Sequence, residues 1–70
     1  MTKLDLHGTR HSEVESMVEN FILMNQREMP LSIICGNSAK MIKLVHNVTD
    51  KLDCETHMYR YGEIIVRKFR

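Results

Sequence analysis

The chain contains no tryptophan, a single proline, three glycines and two cysteines among its 70 residues, and it has no long apolar run. These absences narrow the field. Without a linker-like or low-complexity tract, residues 1–70 read as one domain. Cys35 and Cys54 lie 19 positions apart, with neither a C-x-x-C nor a zinc-ligand spacing, which argues against a disulfide framework or a structural metal site and for reduced thiols. No cofactor is indicated. No stretch approaches the ~20 apolar residues that cross a bilayer, and no apolar run follows Met1, so a cytoplasmic protein without a membrane partner is expected. Charge of one sign is also missing: 10 basic and 9 acidic residues leave net +1 and no general basic field.

What is present suits a small globular domain, with 43% hydrophobic and 27% charged residues. A core of this size rarely supplies more than ~3–5 kcal/mol of net stability, which leaves the oligomeric state open between a monomer and a weak dimer. The acid is concentrated in residues 12–29, where Glu13, Glu15, Glu19 and Glu28 are opposed only by Arg27.

The most informative stretch is Leu4-Asp5-Leu6-His7-Gly8. Alternation puts Leu4 and Leu6 on one face of a strand over residues 3–7, and Asp5 and His7 together on the other, roughly 7 Å apart along it. Gly8 lets the chain turn or a ligand approach the backbone. Ser12-Glu13-Val14-Glu15 then reads as a capping box, opening a helix expected to run to about residue 27. Its apolar stripe is Val14, Met17, Val18, Phe21, Ile22 and Met24, and most of the six methionines read as core filler.

Pro30 bars continuation of that helix and opens a β-branched strand over 31–35, ending at Gly36-Asn37-Ser38. Asn37 or Ser38 can cap a second helix over 39–52, with Met41, Ile42, Val45, Val48 and Leu52 on its buried stripe. Two successive β-α units with short connections imply parallel neighbouring strands, whose C-terminal ends meet both helix N-termini at one sheet edge. Strands over 54–60 and 63–69 follow, joined by a hairpin turn in which Gly62 takes positive φ. The expected fold is therefore a two-layer α/β sandwich of order β-α-β-α-β-β: a mixed four-stranded sheet with both helices on one face. The other face is partly open, exposing either Ile34 and Ile65 or Ile64 and Val66.

The shared edge is the expected site. Gly8 and Gly36 admit a phosphate, the loop amides of Asn37 and Ser38 can meet it, and Arg10, His11, Lys40 and Lys43 add charge, although such Gly- and Asn-rich turns also occur with no ligand. Arg67 and Lys68, near Phe69, offer a second phosphate grip or a frayed charged terminus. His7 is the candidate acid or base, because an imidazole holds or releases a proton near neutral pH; it can equally be a structural strand-end residue. Asp5 can orient His7, act as the base, or accept loop amides and fix the turn.

Leu4-Asp5-Leu6-His7-Gly8 before a capped helix, a second strand entering a glycine loop before the second helix, and a terminal hairpin containing Gly62 and Val66 together resemble the small MutS-related (Smr) domain family. The resemblance covers nearly the whole chain. It implies the two-layer α/β fold shared with the C-terminal domain of bacterial translation initiation factor three, together with nucleic-acid binding, often with DNA-nicking or RNA endonuclease activity. Asp5 and His7 would then be the catalytic pair, requiring no metal where an RNA 2′-hydroxyl is the nucleophile. The second family motif, a histidine or threonine followed by glycine, a variable residue and glycine, stands here as Cys35-Gly36-Asn37-Ser38. That change removes a loop histidine that would be a second acid or base. The expectation is a nucleic-acid-binding domain and candidate weak, metal-independent endonuclease; the alternatives are a non-catalytic structured-RNA or ribosome-binding module, and a protein-interaction module using the open sheet face.

Overall fold

The computed structural model describes residues 1–70, which form β1 (Lys3–Asp5), α1 (His11–Met24), β2 (Leu31–Ile34), α2 (Ala39–Lys51), β3 (Cys54–Arg60) and β4 (Glu63–Phe69), with a short 3-10 turn at Gln26–Glu28. The sheet runs β1-β2-β4-β3, parallel between β1 and β2 and antiparallel elsewhere. This is the expected mixed sheet and two-layer sandwich. The last strand enters the sheet between its two predecessors. No helix is long and apolar enough to cross a membrane.

Helix α1 departs from the expected boundaries. It begins at His11, so Ser12 is already helical and the capping box does not form; Arg10 stands at the cap with extended backbone and no side-chain bond to the first turn. The tight turn at Gly8, with φ +76° and the Thr9 N–H donating to Leu6 O at 3.0 Å, delivers the chain to the helix early. At the other end Asn25 stops the helix, its Nδ2 donating to Phe21 O at 2.8 Å. Residues 26–28 continue only as the 3-10 turn before Pro30, whose ring keeps Met29 extended.

The buried stripe of α1 is also narrower than expected, being Val14, Val18 and Ile22, with Phe21 half-buried and Met17 and Met24 exposed. One i, i+4 ridge suffices to cover a sheet this small. Reading the methionines as core filler is therefore corrected: Met41 is buried and Met29 half-buried, while Met1, Met17, Met24 and Met58 face solvent. Helix α2 follows the expected pattern more closely. Ser38 caps it, Oγ accepting the Met41 N–H at 3.1 Å, and Met41, Val45 and Val48 join the core.

The helix-facing side of the sheet is built from Leu31, Ile33, Ile64 and Val66, all fully buried. Each such side chain contributes ~1.5–3 kcal/mol of transfer free energy. The opposite parity, Ser32, Ile34, Glu63 and Ile65, forms the open face, so Ile34 and Ile65 lie there; yet Ile65 is only 6% exposed, in a groove bordered by Lys3, His57, Tyr59 and Arg67.

A polar relay lies under this groove. The Ser32 hydroxyl donates to Glu63 Oε2 at 2.8 Å, and Arg60 Nε donates to Oε1 at 2.9 Å. The Ser32 hydroxyl first, and then Arg60, hold the Glu63 carboxyl below the ordinary glutamate range. A depressed folded-state pKa stabilises above the unfolded value, and that stabilisation disappears as pH falls through the folded value. Ser32→Ala is therefore expected to lower the thermal midpoint at neutral pH. The gap from wild type should narrow as pH falls below the ordinary glutamate range, measured by circular dichroism melts; a gap constant with pH would contradict it.

Candidate functional site

β1 ends at Asp5, two residues before the expected end, because a local turn takes over from the ladder. Asp5 Oδ1 accepts the backbone N–H of His7 at 2.9 Å and meets His7 Nδ1 at 3.0 Å. The backbone bond first, and the ring contact second, hold the Asp5 carboxyl below its ordinary range. An ionised carboxylate only accepts, so Nδ1 carries the proton and Nε2 of a neutral ring is left as the base. Both side chains are open to solvent, at 71% for His7 and 62% for Asp5.

The imidazole lies against the second loop. A Cβ placed on Gly36, which has φ +70°, would stand 3.2 Å from His7 Nε2. Behind Gly36 is the hairpin turn: Gly62 has φ +86°, a Cβ there would collide with the Gly36 carbonyl, and the Cys35 N–H donates to Gly62 O at 2.6 Å. That bond carries the β2–β4 register one pair beyond Ile34 and Glu63, into the hairpin turn, although β2 proper ends at Ile34. Three turns distant in sequence therefore converge, and the cleft between them, 440 Å³, is lined by His7, Ile34, Gly36 and Asn37 on one side and by Arg60, Tyr61, Gly62 and Glu63 on the other.

The expected site residues divide by position. His7, Gly36 and Asn37 line this cleft, with Asp5 behind His7. Ser38 is occupied by its capping bond. Gly8 is exposed, with open space where a Cβ would go, and Arg10 and His11 are exposed at the start of α1, outside the cleft lining. Lys40 and Lys43 flank a separate 510 Å³ groove along α2. Arg67 lines the open-face groove and pairs with Glu55 at 3.5 Å, while Lys68 lies opposite Glu55 on β3, at the far end of β4 from the cleft. Cys35, at the start of the second glycine loop, is 4% exposed, and burial pushes its thiol up to about 11, so it stays protonated at neutral pH.

Arg60, Tyr61 and Glu63 were missed as site residues. The available signal was the tight turn at Gly62, the only short connection between two long strands. Arg60 brings a guanidinium 73% exposed at the cleft mouth. Glu63 has both carboxylate oxygens engaged and serves as a fixed floor, with no proton to offer at neutral pH. No three His, Cys, Asp or Glu side chains converge as a metal-ligand group. The arrangement offers one oriented base, the left-handed backbone of Gly36 and Gly62 in the cleft lining, and one guanidinium. Comparisons with models of known protein families, with curated proteins and with solved structures return no match to this chain.

Proposed function

We propose that this chain is an Smr-like domain that binds nucleic acid at the cleft formed by His7, Gly36, Asn37, Arg60 and Tyr61, and that it cuts RNA slowly with His7 as general base. The observation that carries this reading is the His7 ring, held through Nδ1 by Asp5 and resting its Nε2 edge against Gly36 beside the cleft. A phosphate entering there meets the Gly36 and Asn37 backbone and the Arg60 guanidinium. In RNA, Nε2 takes the proton of the 2′-hydroxyl, the 2′-oxygen attacks phosphorus, and the bond to the 5′-oxygen breaks; that oxygen recovers a proton from the imidazolium or from water. Arg60 stabilises the charge on the phosphorane.

One observation favours binding without cleavage as the second reading. Cys35 is buried and protonated and Glu63 is fully engaged, so neither supplies the second acid or base that a loop histidine would. A single base serving both proton transfers is a weak catalyst.

The test is fluorescence anisotropy of labelled single-stranded, duplex and branched RNA and DNA in EDTA, repeated across salt. Affinity is expected to fall steeply between about 50 and 200 mM salt, with a log–log slope near −0.7 to −0.9 per phosphate contacted. Affinity that ignores salt, or absence of binding to every nucleic acid, overturns the proposal.

A further inference from the structure

We infer that the open face of the sheet is a track for single-stranded nucleic acid, with Tyr59 and Tyr61 stacking on bases and Lys3, Arg60 and Arg67 holding phosphates, continuous with the His7 cleft. The inference rests on the nucleic-acid reading of that cleft and adds the form of the ligand and a second surface.

Strand register lays the track out. Lys3, Ser32, Ile65 and His57 are successive cross-strand partners, and Asp5, Ile34, Glu63 and Arg60 form the next rung toward the cleft. Directly paired residues share a face, so both rungs point away from the helices. A groove of 530 Å³ follows the first rung, with Ser32 and Ile65 in its floor, Lys3, Tyr59 and Arg67 on its margins, and Glu63 at its end toward the cleft. Glu63 lines both this groove and the His7 cleft, so the two hollows adjoin at it. From Arg67 to Glu63 the groove extends about 13 Å along β4.

Lys3, Arg60 and Arg67 are balanced by the carboxylates of Asp5, Glu63 and Glu55, so a phosphate is held here by free donors rather than by net charge. Both oxygens of Glu63 are bonded by Ser32 and Arg60, and Asp5 is held by His7. Lys3 makes no ion pair. Arg60 and Arg67 engage Glu63 and Glu55 through Nε, leaving the terminal nitrogens of each guanidinium for phosphate.

The tyrosines select the single strand. Tyr59 and Tyr61 are 69% and 62% exposed, one on the groove and one on the cleft, and neither hydroxyl has an intramolecular partner. A phenol face exposed beside cations is a platform for an unpaired base, whereas a duplex keeps its base faces covered.

With no tryptophan in the chain, tyrosine emission reports stacking directly. A labelled 12-mer of uridylate or thymidylate, titrated into the wild type, is expected to quench that emission. Tyr59→Ala is expected to weaken single-strand binding roughly tenfold while leaving a duplex unaffected. Tyr59→Phe is expected to retain affinity, and Lys3→Gln to reduce the salt slope by about 1. Wild-type single-strand affinity in Tyr59→Ala, with Arg60→Gln weakened, overturns the track and leaves the cleft reading standing. No binding of any nucleic acid overturns both. A concentration-dependent rise in mass that Tyr59→Ala abolishes means that a second copy covers this face, and it too overturns the track.

Discussion

Gly62→Ala is expected to lower the thermal midpoint by at least about 8 °C, a larger effect than any other single methyl group should have in this chain. The position combines two costs. Its φ of +86° lies where an L side chain loses about 1–2 kcal/mol. The added Cβ would also stand 2.9 Å from the Gly36 carbonyl carbon and closer still to its oxygen, both backbone atoms that no rotamer change can move. Relief requires the hairpin to withdraw from the second loop, breaking the bond from the Cys35 N–H to Gly62 O and leaving a buried donor that costs about 1–3 kcal/mol. Together these come to about 2–5 kcal/mol, comparable with the net stability of a domain this small, and 1 kcal/mol shifts the midpoint of such a domain by roughly 4–8 °C. Gly8→Ala is the control, because Gly8 shares the positive φ but has open space around it. Equal losses in the two variants would show that the Gly36 contact contributes nothing.

His7→Ala is expected to reduce RNA cleavage by about 100-fold or more, the usual contribution of a positioned acid or base. Binding should change little, because Arg60 and the glycine loops remain. Folding is not at stake in a side chain 71% exposed, which a circular dichroism melt will verify. Asp5→Asn should reduce cleavage in the same direction, since an amide no longer compels the proton onto Nδ1. The double variant should be little worse than His7→Ala alone, because the pair acts as a unit. Cleavage in EDTA that survives His7→Ala unchanged would remove His7 from the mechanism.

How much of this was legible in the sequence depended on whether a feature is local. The bounds of β3 and β4 coincide with the expected 54–60 and 63–69 because the β-branched run Ile64-Ile65-Val66 and the turn at Gly62 mark them. The Ser38 cap and the parallel β1–β2 pair follow from short-range chemistry in the same way. The start of α1 misled because Ser12 and Glu15 match a capping box, while the turn at Gly8 and the burial of Val14, Val18 and Ile22 decide the helix position. Which parity of β4 faces the helices was hidden by three consecutive apolar residues, Ile64, Ile65 and Val66. The far wall of the cleft was hidden for a different reason. Gly36 and Gly62 touch across 25 intervening positions, and no periodicity records a contact of that range. Asp5 and His7 were visible as a pair, since two residues on one strand face need no tertiary information to meet.

The central position of β4 also sets the order in which this molecule can come into being. The strand formed last in synthesis fills the gap between β2 and β3, and the cleft draws on residues 5–7, 34–37 and 60–63. Until residue 63 is available, the inner edge of β2 has no partner and presents Leu31 and Ile33 with unpaired backbone, a template for mispairing. Folding is thus expected to be slow for so short a chain, because its decisive pairing is among the most distant in sequence. Binding capacity should then appear in a single late step, with no shorter fragment holding a share of it.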